Sequence, residues 1–476
     1  MRASSRPAAV ARLLTILFSS GAAAPVAAQD YYADIRPLLN RNCLACHSAA
    51  GPGWSMQDPE ATYALRHAIA AAILERRMPP WLAEPGHQEY VNSRALPADV
   101  LDLVRRWRDG GFAKGAPRPD LRHAADAGAA HAAFEADVTV DVLPGDAYLP
   151  NQTRADDYRC FVADWPGDRT AYVTGFRAVV GNRRVGHHLV VHAIVPGMVD
   201  RFRELDAAEE GPGYQCFGGA LPDRLGGREA REAYEARYPD GLREMNRAKF
   251  WLAHWAPGMD GHNFPEGTGI RLDPGSALVI QMHYYAGAAP GEPDAGTRME
   301  FRIAGEVERP SFHLPQTLDP WLDSRENASM VIPSGQVATY EYADNLGDLL
   351  PYIARVTRVP EERIQGLEIH SANLHMHAVG HSGVISLRDR HGRKETLLSV
   401  PRWDLRWQQD FTFAVPKVFG RDELDGTLLS VECTFLNPGQ KPVYGGFGSD
   451  DEMCFDFAYI AVRTGEPASP VGAGNR

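Results

Sequence analysis

Apolar residues recur at three- and four-residue spacing in three early stretches, "ADIRPLLNRNC", "ATYALRHAIAAAILERR" and "ADVLDLVRRWRDGG". That period matches the turn of an amphipathic helix, so all three are predicted helices. The pattern breaks over residues 114–137, where Ala, Gly, Pro and charged residues follow one another with little periodicity, as in a linker. Beyond it the apolar runs become short, β-branched and aromatic: "TAYVTGFRAVV", "ALVIQMHYYAG", "GVISLRD", "GTLLSVECTFLN". Turn residues separate them, and 45 glycines and 35 prolines punctuate the chain. This predicts all-β sandwiches or barrels. More than 300 residues follow the linker, which favours two such domains over one.

Composition adds the setting. The 476 residues, 44% hydrophobic and 23% charged, are those of an ordinary globular protein of several domains. A formal net charge of -12 leaves no basic excess for nucleic acid, and no charge run suggests a membrane surface. The start, "MRASSRPAAVARLLTILFSSGAAAPVAAQD", has Arg2, Arg6 and Arg12 before an apolar stretch from Leu13 to Phe18. Val26 and Ala28 then stand three and one positions before Gln29, so residues 1–28 read as a secretory signal peptide. The stretch is shorter than the roughly 20 apolar residues of a membrane span, and no later one reaches that length. The expected location is periplasmic or secreted.

Six cysteines must be accounted for in that oxidising setting. Cys43 and Cys46 lie in "NRNCLACHSA", a C-x-x-C-H pattern in which two thioethers fix a covalent haem c and His47 is placed to reach the iron. A redox CxxC, the rival reading, normally stands in a βαβ context without the following histidine. The sixth ligand is assigned to Met78 in "RRMPPW", because two prolines after a helix fix an extended loop able to lay a thioether on iron; Met56 is the alternative. In this the segment resembles the class I cytochromes c, and a small all-α cytochrome c-like domain is expected over residues 29–113.

The β region carries histidines in close sets. "NLHMHAVGHSG" holds His375 and His377, which a strand would place on one face with Met376 opposite. Taken alone this is either a metal-binding pair or two surface histidines on an edge strand. "VGHHLVVHAIVP" holds His187, His188 and His192, and "VIQMHYYAG" holds His283. Adjacent histidines on a flat strand point to opposite faces, so both reach one ion only where the strand twists, bulges or ends. His192, His254 and His381 lie near these sets as candidates for orienting a ligand ring, while Met282 and Met376 read as core.

The HH doublet, the HY after a strand, the HxH followed by glycine and the later "GFGSDDEMCFDFAYI" occur in an order that resembles the copper type II, ascorbate-dependent monooxygenases, the family of peptidylglycine α-hydroxylating monooxygenase and dopamine β-monooxygenase. The resemblance covers roughly residues 138–465. It implies two β-sandwich (jelly-roll-like) copper domains, 138–305 and 306–465, before a flexible tail at 466–476. It implies that His187, His188 and His283 bind one copper as an electron relay, and that His375, His377 and Met453 bind a second, catalytic copper where dioxygen is activated. It also supports the pairings Cys433 with Cys454 and Cys160 with Cys216. A His, His, Met set is soft and suits Cu(I), whereas zinc sites use Cys, His and carboxylates, and no HExxH spacing is present.

The departures matter too. Peptide-amidating members anchor a substrate carboxylate with an arginine two residues before the HxH, and with an asparagine and a tyrosine after the methionine. Here those positions are Asn373, Phe455 and Phe457, which argues against a glycine-extended peptide and for an uncharged or aromatic substrate. The expected function is hydroxylation of a C–H bond of a small organic substrate with dioxygen. Electrons come from ascorbate or a periplasmic redox partner, supplied through the fused haem. Other classes consistent with the sequence are a non-catalytic copper and haem electron-transfer protein and a metal-dependent hydrolase.

Overall fold

The apolar run "ALVIQMHYY" forms the strand Ala277–Tyr285, buried along all but its last residue. Burial of consecutive side chains means that both faces of this strand are covered. It lies at the centre of a five-stranded antiparallel sheet, ordered Tyr214–Gln215, Asp156–Asp164, Ala277–Tyr285, Gly186–Ile194, Lys249–Trp255. In this computed structural model the described residues are 29–44, 46–47, 54–91, 93–118, 134–143, 145–153, 156–216, 219–221, 236, 241–256, 259, 261–315, 324, 328–446 and 451–465. The signal peptide, most of the linker and the tail expected from the sequence lie outside them. No helix among the described residues is long and apolar enough to cross a membrane.

The chain divides into two compact units, residues 1–79 with 96–129, and residues 80–95 with 130–476. Short helices hold the first. Asp58 caps Pro59–Ala64 by accepting from the Glu60 and Ala61 N–H groups, and Ala98–Asp109 turns Leu101, Val104 and Trp107 into the core at three-residue spacing. Tyr31, Ile35, Leu39 and Ile73 complete that core, and the buried Arg36 guanidinium is satisfied by the carbonyls of Met56 at 2.6 Å and Gln57 at 3.0 Å.

A nine-stranded sheet runs through the second unit. Its order is Val138–Asp141, Arg298–Ala304, Ala171–Val179, Thr268–Leu272, Arg309–Pro315, Phe455–Thr464, Ile364–His375, Phe411–Gly420, with His262–Asn263 beside Ala171–Val179. Arg309–Pro315 pairs parallel with Thr268–Leu272 on one side and antiparallel with Phe455–Thr464 on the other. A four-stranded sheet, Val337–Asn345, Leu428–Leu436, Gly380–Arg388, Lys394–Val400, covers the C-terminal half. Two disulfides are present, Cys160–Cys216 and Cys433–Cys454, as the resemblance implied.

These observations correct the expected fold class, a small all-α cytochrome c domain followed by two all-β sandwiches. The chain is mostly β-sheet with short helices, and no distinct all-α N-terminal cytochrome c domain is evident among the described residues. Residues 80–95 leave the helical segment and pair as β structure. Val91 N–H donates to Thr412 C=O, Ala414 N–H to Glu89 C=O and Glu84 N–H to Ser399 C=O, while Trp81 packs edge-on to Phe411 at 5.0 Å. Large aromatic side chains bury best against a broad sheet, which draws Trp81 and Tyr90 away from the small helical core. Nor do the two β halves stand as separate sandwiches, since the central sheet is continuous through Arg309–Pro315.

Candidate functional site

His187 and His188 share one destination because the strand bulges at His187. Pairing with Ala277–Tyr285 runs His283 to His188 and then skips to Tyr284 with Gly186, so His187 is the extra residue. The three Nδ1 atoms converge: His187 to His188 is 3.3 Å, His187 to His283 is 3.2 Å, and His283 to His188 is 3.2 Å. Three ring nitrogens turned to one point repel as lone pairs and clash as N–H groups unless a cation sits among them. A point equidistant from all three lies about 1.9 Å from each, close to the ~2.0 Å of a metal–imidazole bond. The donor set therefore fits a metal ion, and it is the only such His, Cys or carboxylate group among the described residues.

Around this triad the supporting groups fix the tautomers. His283 donates from Nε2 to Asp156 Oδ1 at 2.8 Å, which leaves its Nδ1 lone pair at the centre. Tyr158 stacks on the same ring at 4.1 Å with planes 7° apart. Burial, then the facing His283, holds His187 down at about 4, and His188 is pushed well below the ordinary imidazole value for the same reasons. Both rings are therefore neutral at pH 7 and able to ligate.

His375 closes the strand Ile364–His375, and His377 follows two residues later; their rings lie 5.2 Å apart at 90°. His375 donates from Nδ1 to Gln408 Oε1 at 2.5 Å, and His377 from Nδ1 to the Asp451 carbonyl at 3.0 Å. Both lone pairs are thereby placed on Nε2. Burial, then His377, lowers His375 to about 3. Met453 is buried at 8% exposure, flanked by Cys454 of the Cys433–Cys454 bridge. Between Asp451 and Met453 stands Glu452, whose carboxylate accepts from the N–H groups of His377 at 2.8 Å, Val379 at 2.6 Å and Met453 at 3.3 Å. Burial raises it to about 7 against the pull of these donors.

One cavity of about 110 Å³ unites the sets: His188 lines it from the first, and His375, His377 and Met453 from the second. Trp251, Met259, Phe455 and Phe457 give it an apolar wall, with Asn373 and Gln408 as polar points. Among the described residues no lysine or arginine lines it. Behind Asn373 lies a buried carboxylate, Asp410, which accepts from Asn373 Nδ2 at 2.9 Å and from His254 Nε2 at 3.0 Å. Burial works against its charge, yet the facing His254, His262 and His313 hold it well below the usual carboxylate range. His254 Nδ1 accepts from the Trp251 indole at 3.2 Å, which fixes the His254 proton on Nε2. His192 and His254 line the cavity, whereas His381 is exposed and is not part of its lining. Met282 and Met376 are fully buried core residues. The sequence reading missed Asp156, Gln408, Asp410 and Glu452. Only Glu452, inside "DEMC", stood in a motif already singled out.

In the helical unit Cys43 and Cys46 stay out of both disulfides and follow the helix Arg36–Asn42 in one turn, where His47 N–H donates to Cys43 C=O at 2.8 Å. Burial pushes the Cys43 thiol up to about 12. His47 Nδ1 bonds the Trp54 carbonyl at 2.9 Å, a pairing that orients an imidazole for ligation through Nε2. Met56 is buried beside it, its N–H on the His47 carbonyl at 2.7 Å, and Met78 is half-buried beyond the helix Arg66–Leu74. Two thiols and an oriented imidazole in one turn fit a covalently held haem.

Residues 356–464 match the family model described as copper type II ascorbate-dependent monooxygenase, C-terminal domain. The match supports this family and a copper monooxygenase-like function, and it contains His375, His377 and Met453. No curated protein matches the chain significantly. Among solved structures, a peptide-N(4)-(N-acetyl-β-D-glucosaminyl) asparagine amidase is similar at 8% identity and a TM-score of 0.28, over 70% of this chain and 98% of that one. The major capsid protein P2 from bacteriophage PM2 is similar at 10% identity and a TM-score of 0.24, over 70% and 99%. Scores this low carry no argument about fold or function.

Proposed function

We propose that the protein is a two-copper monooxygenase that hydroxylates a C–H bond of a small, uncharged organic substrate, with electrons supplied through a c-type haem on Cys43 and Cys46. The reaction consumes dioxygen, two electrons and two protons and yields the alcohol and water. The carrying observation is the shared cavity, where His188 of one histidine set faces the same space as His375, His377 and Met453. His187, His188 and His283 would hold one copper, and His375, His377 and Met453 the other. His47 would ligate the haem iron with Met78 as its partner, or Met56 in its place. Copper, when bound, supplies dioxygen activation and single-electron chemistry.

The residues on the page supply the remainder. Asp156 and Gln408 hold the imidazoles in their ligating tautomers. Phe455 and Phe457, edge to face at 4.4 Å, present apolar surface to the reacting C–H group and keep water from it. A cavity of this size takes a compact molecule; a dry cavity of about 150 Å³ holds benzene. Asn373 commits an N–H to Asp410, and among the described residues no lysine or arginine lines the cavity to bind a carboxylate. The location follows the signal-like start and is periplasmic or secreted, with a redox partner as electron source.

The test is elemental analysis of the mature protein followed by oxygen uptake with small aromatic and aliphatic compounds. Two coppers and one haem per chain, with uptake matched to alcohol formed, is the expected result. Zinc without copper would sink the proposal. So would a fully copper-loaded protein that passes electrons but never consumes oxygen.

A further inference from the structure

Glu452, with only 1% of its residue exposed, faces backbone N–H groups and, among the described residues, no cation, an uncommon arrangement that the function above does not use. The backbone of Glu452 is itself fixed. Its N–H donates to the Tyr444 carbonyl at 2.9 Å, its carbonyl accepts from Gly446 at 3.0 Å, and Cys454 two residues on is bridged to Cys433. From that base the side chain reaches a loop 75 residues earlier in the chain and receives the N–H groups of His377 and Val379. The other side of the loop is held by Trp403, whose indole donates to the His377 carbonyl at 3.1 Å. Its turn is tight: a Cβ at Gly380 would stand 2.7 Å from Trp403 Cδ1 and 2.8 Å from Met376 Cβ. Met453, next in sequence, gives its own N–H to the same carboxylate.

We infer that Glu452 is a positioning residue for the second ligand set, its carboxylate clasping the His377 loop and the Met453 segment into one rigid piece. The inference rests on the reading of His375, His377 and Met453 as a copper site. The ladder between Ile364–His375 and Phe455–Thr464 ends at the pair His375 and Phe455, so the loop after His375 and the segment before Phe455 lie beyond it. A single acceptor shared by donors from both supplies that missing connection. Two of these hydrogen bonds, from the His377 N–H at 2.8 Å and the Val379 N–H at 2.6 Å, tie the loop to the Glu452 side chain and hold it against thermal opening. An imidazole and a thioether held this way keep their separation whether or not an ion is bound.

The test compares wild type with Glu452→Gln, in which an amide NH₂ is turned toward N–H donors. Hydrogen–deuterium exchange is followed in metal-free protein for the peptide spanning residues 375–380 and for the strand Ala277–Tyr285. The expected result is exchange at least about 10-fold faster in 375–380 alone. Titration with cuprous ion against a chromophoric chelator should then show second-set affinity weakened about 10- to 100-fold, the usual effect of losing a group that orients a ligand. First-set affinity should be unchanged. Exchange unchanged in 375–380, or raised equally in both peptides, would overturn the inference. If Glu452→Gln does not fold, Glu452→Asp, which keeps the charge on a shorter arm, is judged by the same two peptides. Because the exchange arm needs no metal, its outcome is separate from the copper count that tests the proposed function.

Discussion

The two ligand sets solve the same problem in opposite ways. His187, His188 and His283 lie within paired strands, present Nδ1, and converge through one bulge in the five-stranded sheet. His375, His377 and Met453 come from a strand end, a loop and the segment just before the strand Phe455–Thr464, and present Nε2 and a thioether. Nδ1 sits one bond nearer the backbone than Nε2, so the first set takes its geometry from the sheet ladder itself. The second reaches further into the cavity and depends on side-chain supports, Gln408, Glu452 and Trp403. A relay that changes only its electron count is served by the first construction. A centre that must admit dioxygen and substrate is served by the second.

Perturbations should separate the two. The largest effect is expected from Met453→Ile, which removes the thioether and keeps the bulk. Turnover should fall by more than about 100-fold, beyond what losing a supporting group costs, while copper bound by the first set stays unchanged by chelator titration. If both coppers were lost together, the independence of the two sets would be disproved. Asp410→Asn comes next. An amide there would turn an NH₂ toward the His254 and Asn373 donors, leaving buried polar groups unpaired at about 1–3 kcal/mol, to be read as a lowered denaturant midpoint. Its neighbours His254 and Asn373 line the cavity wall, so the second set should suffer and the first should not.

Acidification of the metal-free protein should act on both sets. His187 at about 4 and His375 at about 3 lie below the ordinary 6.5, so the unfolded chain binds more protons in between. Stability therefore rises with pH across this window and is lost as pH falls from about 6.5 toward 4. Thermal midpoints at pH 7.5 and 4.5 check the sign, and a higher midpoint at pH 4.5 would contradict it. The smallest effect is expected from Asp156→Asn, where first-set copper affinity should fall about 10-fold because the His283 tautomer loses its anchor. An equal loss at the second set would show that the sets share more than a cavity.

Much of this was readable from residue types and spacing. The period change marked helical and β regions, and the ligand residues announced themselves as His and Met in short motifs. The resemblance supplied the two disulfide pairings that the structure contains. Other features left no local signal. "QQDF" says nothing of Asp410 beneath Asn373, and "ADDYRC" says nothing of Asp156 behind His283. Trp81 and Tyr90 sit in a stretch that reads as part of the helical segment, yet they pack on Phe411.

Sequence by itself determined which chemistry is available: imidazoles, one thioether, paired thiols before a histidine, and strands apolar enough to be buried. Only the tertiary structure decided what those groups face. Register, bulge position and the continuity of a sheet through two halves depend on pairings between residues tens to hundreds of positions apart. Such pairings are selected by total burial and by satisfaction of backbone hydrogen bonds over the whole fold, and no local window carries that information.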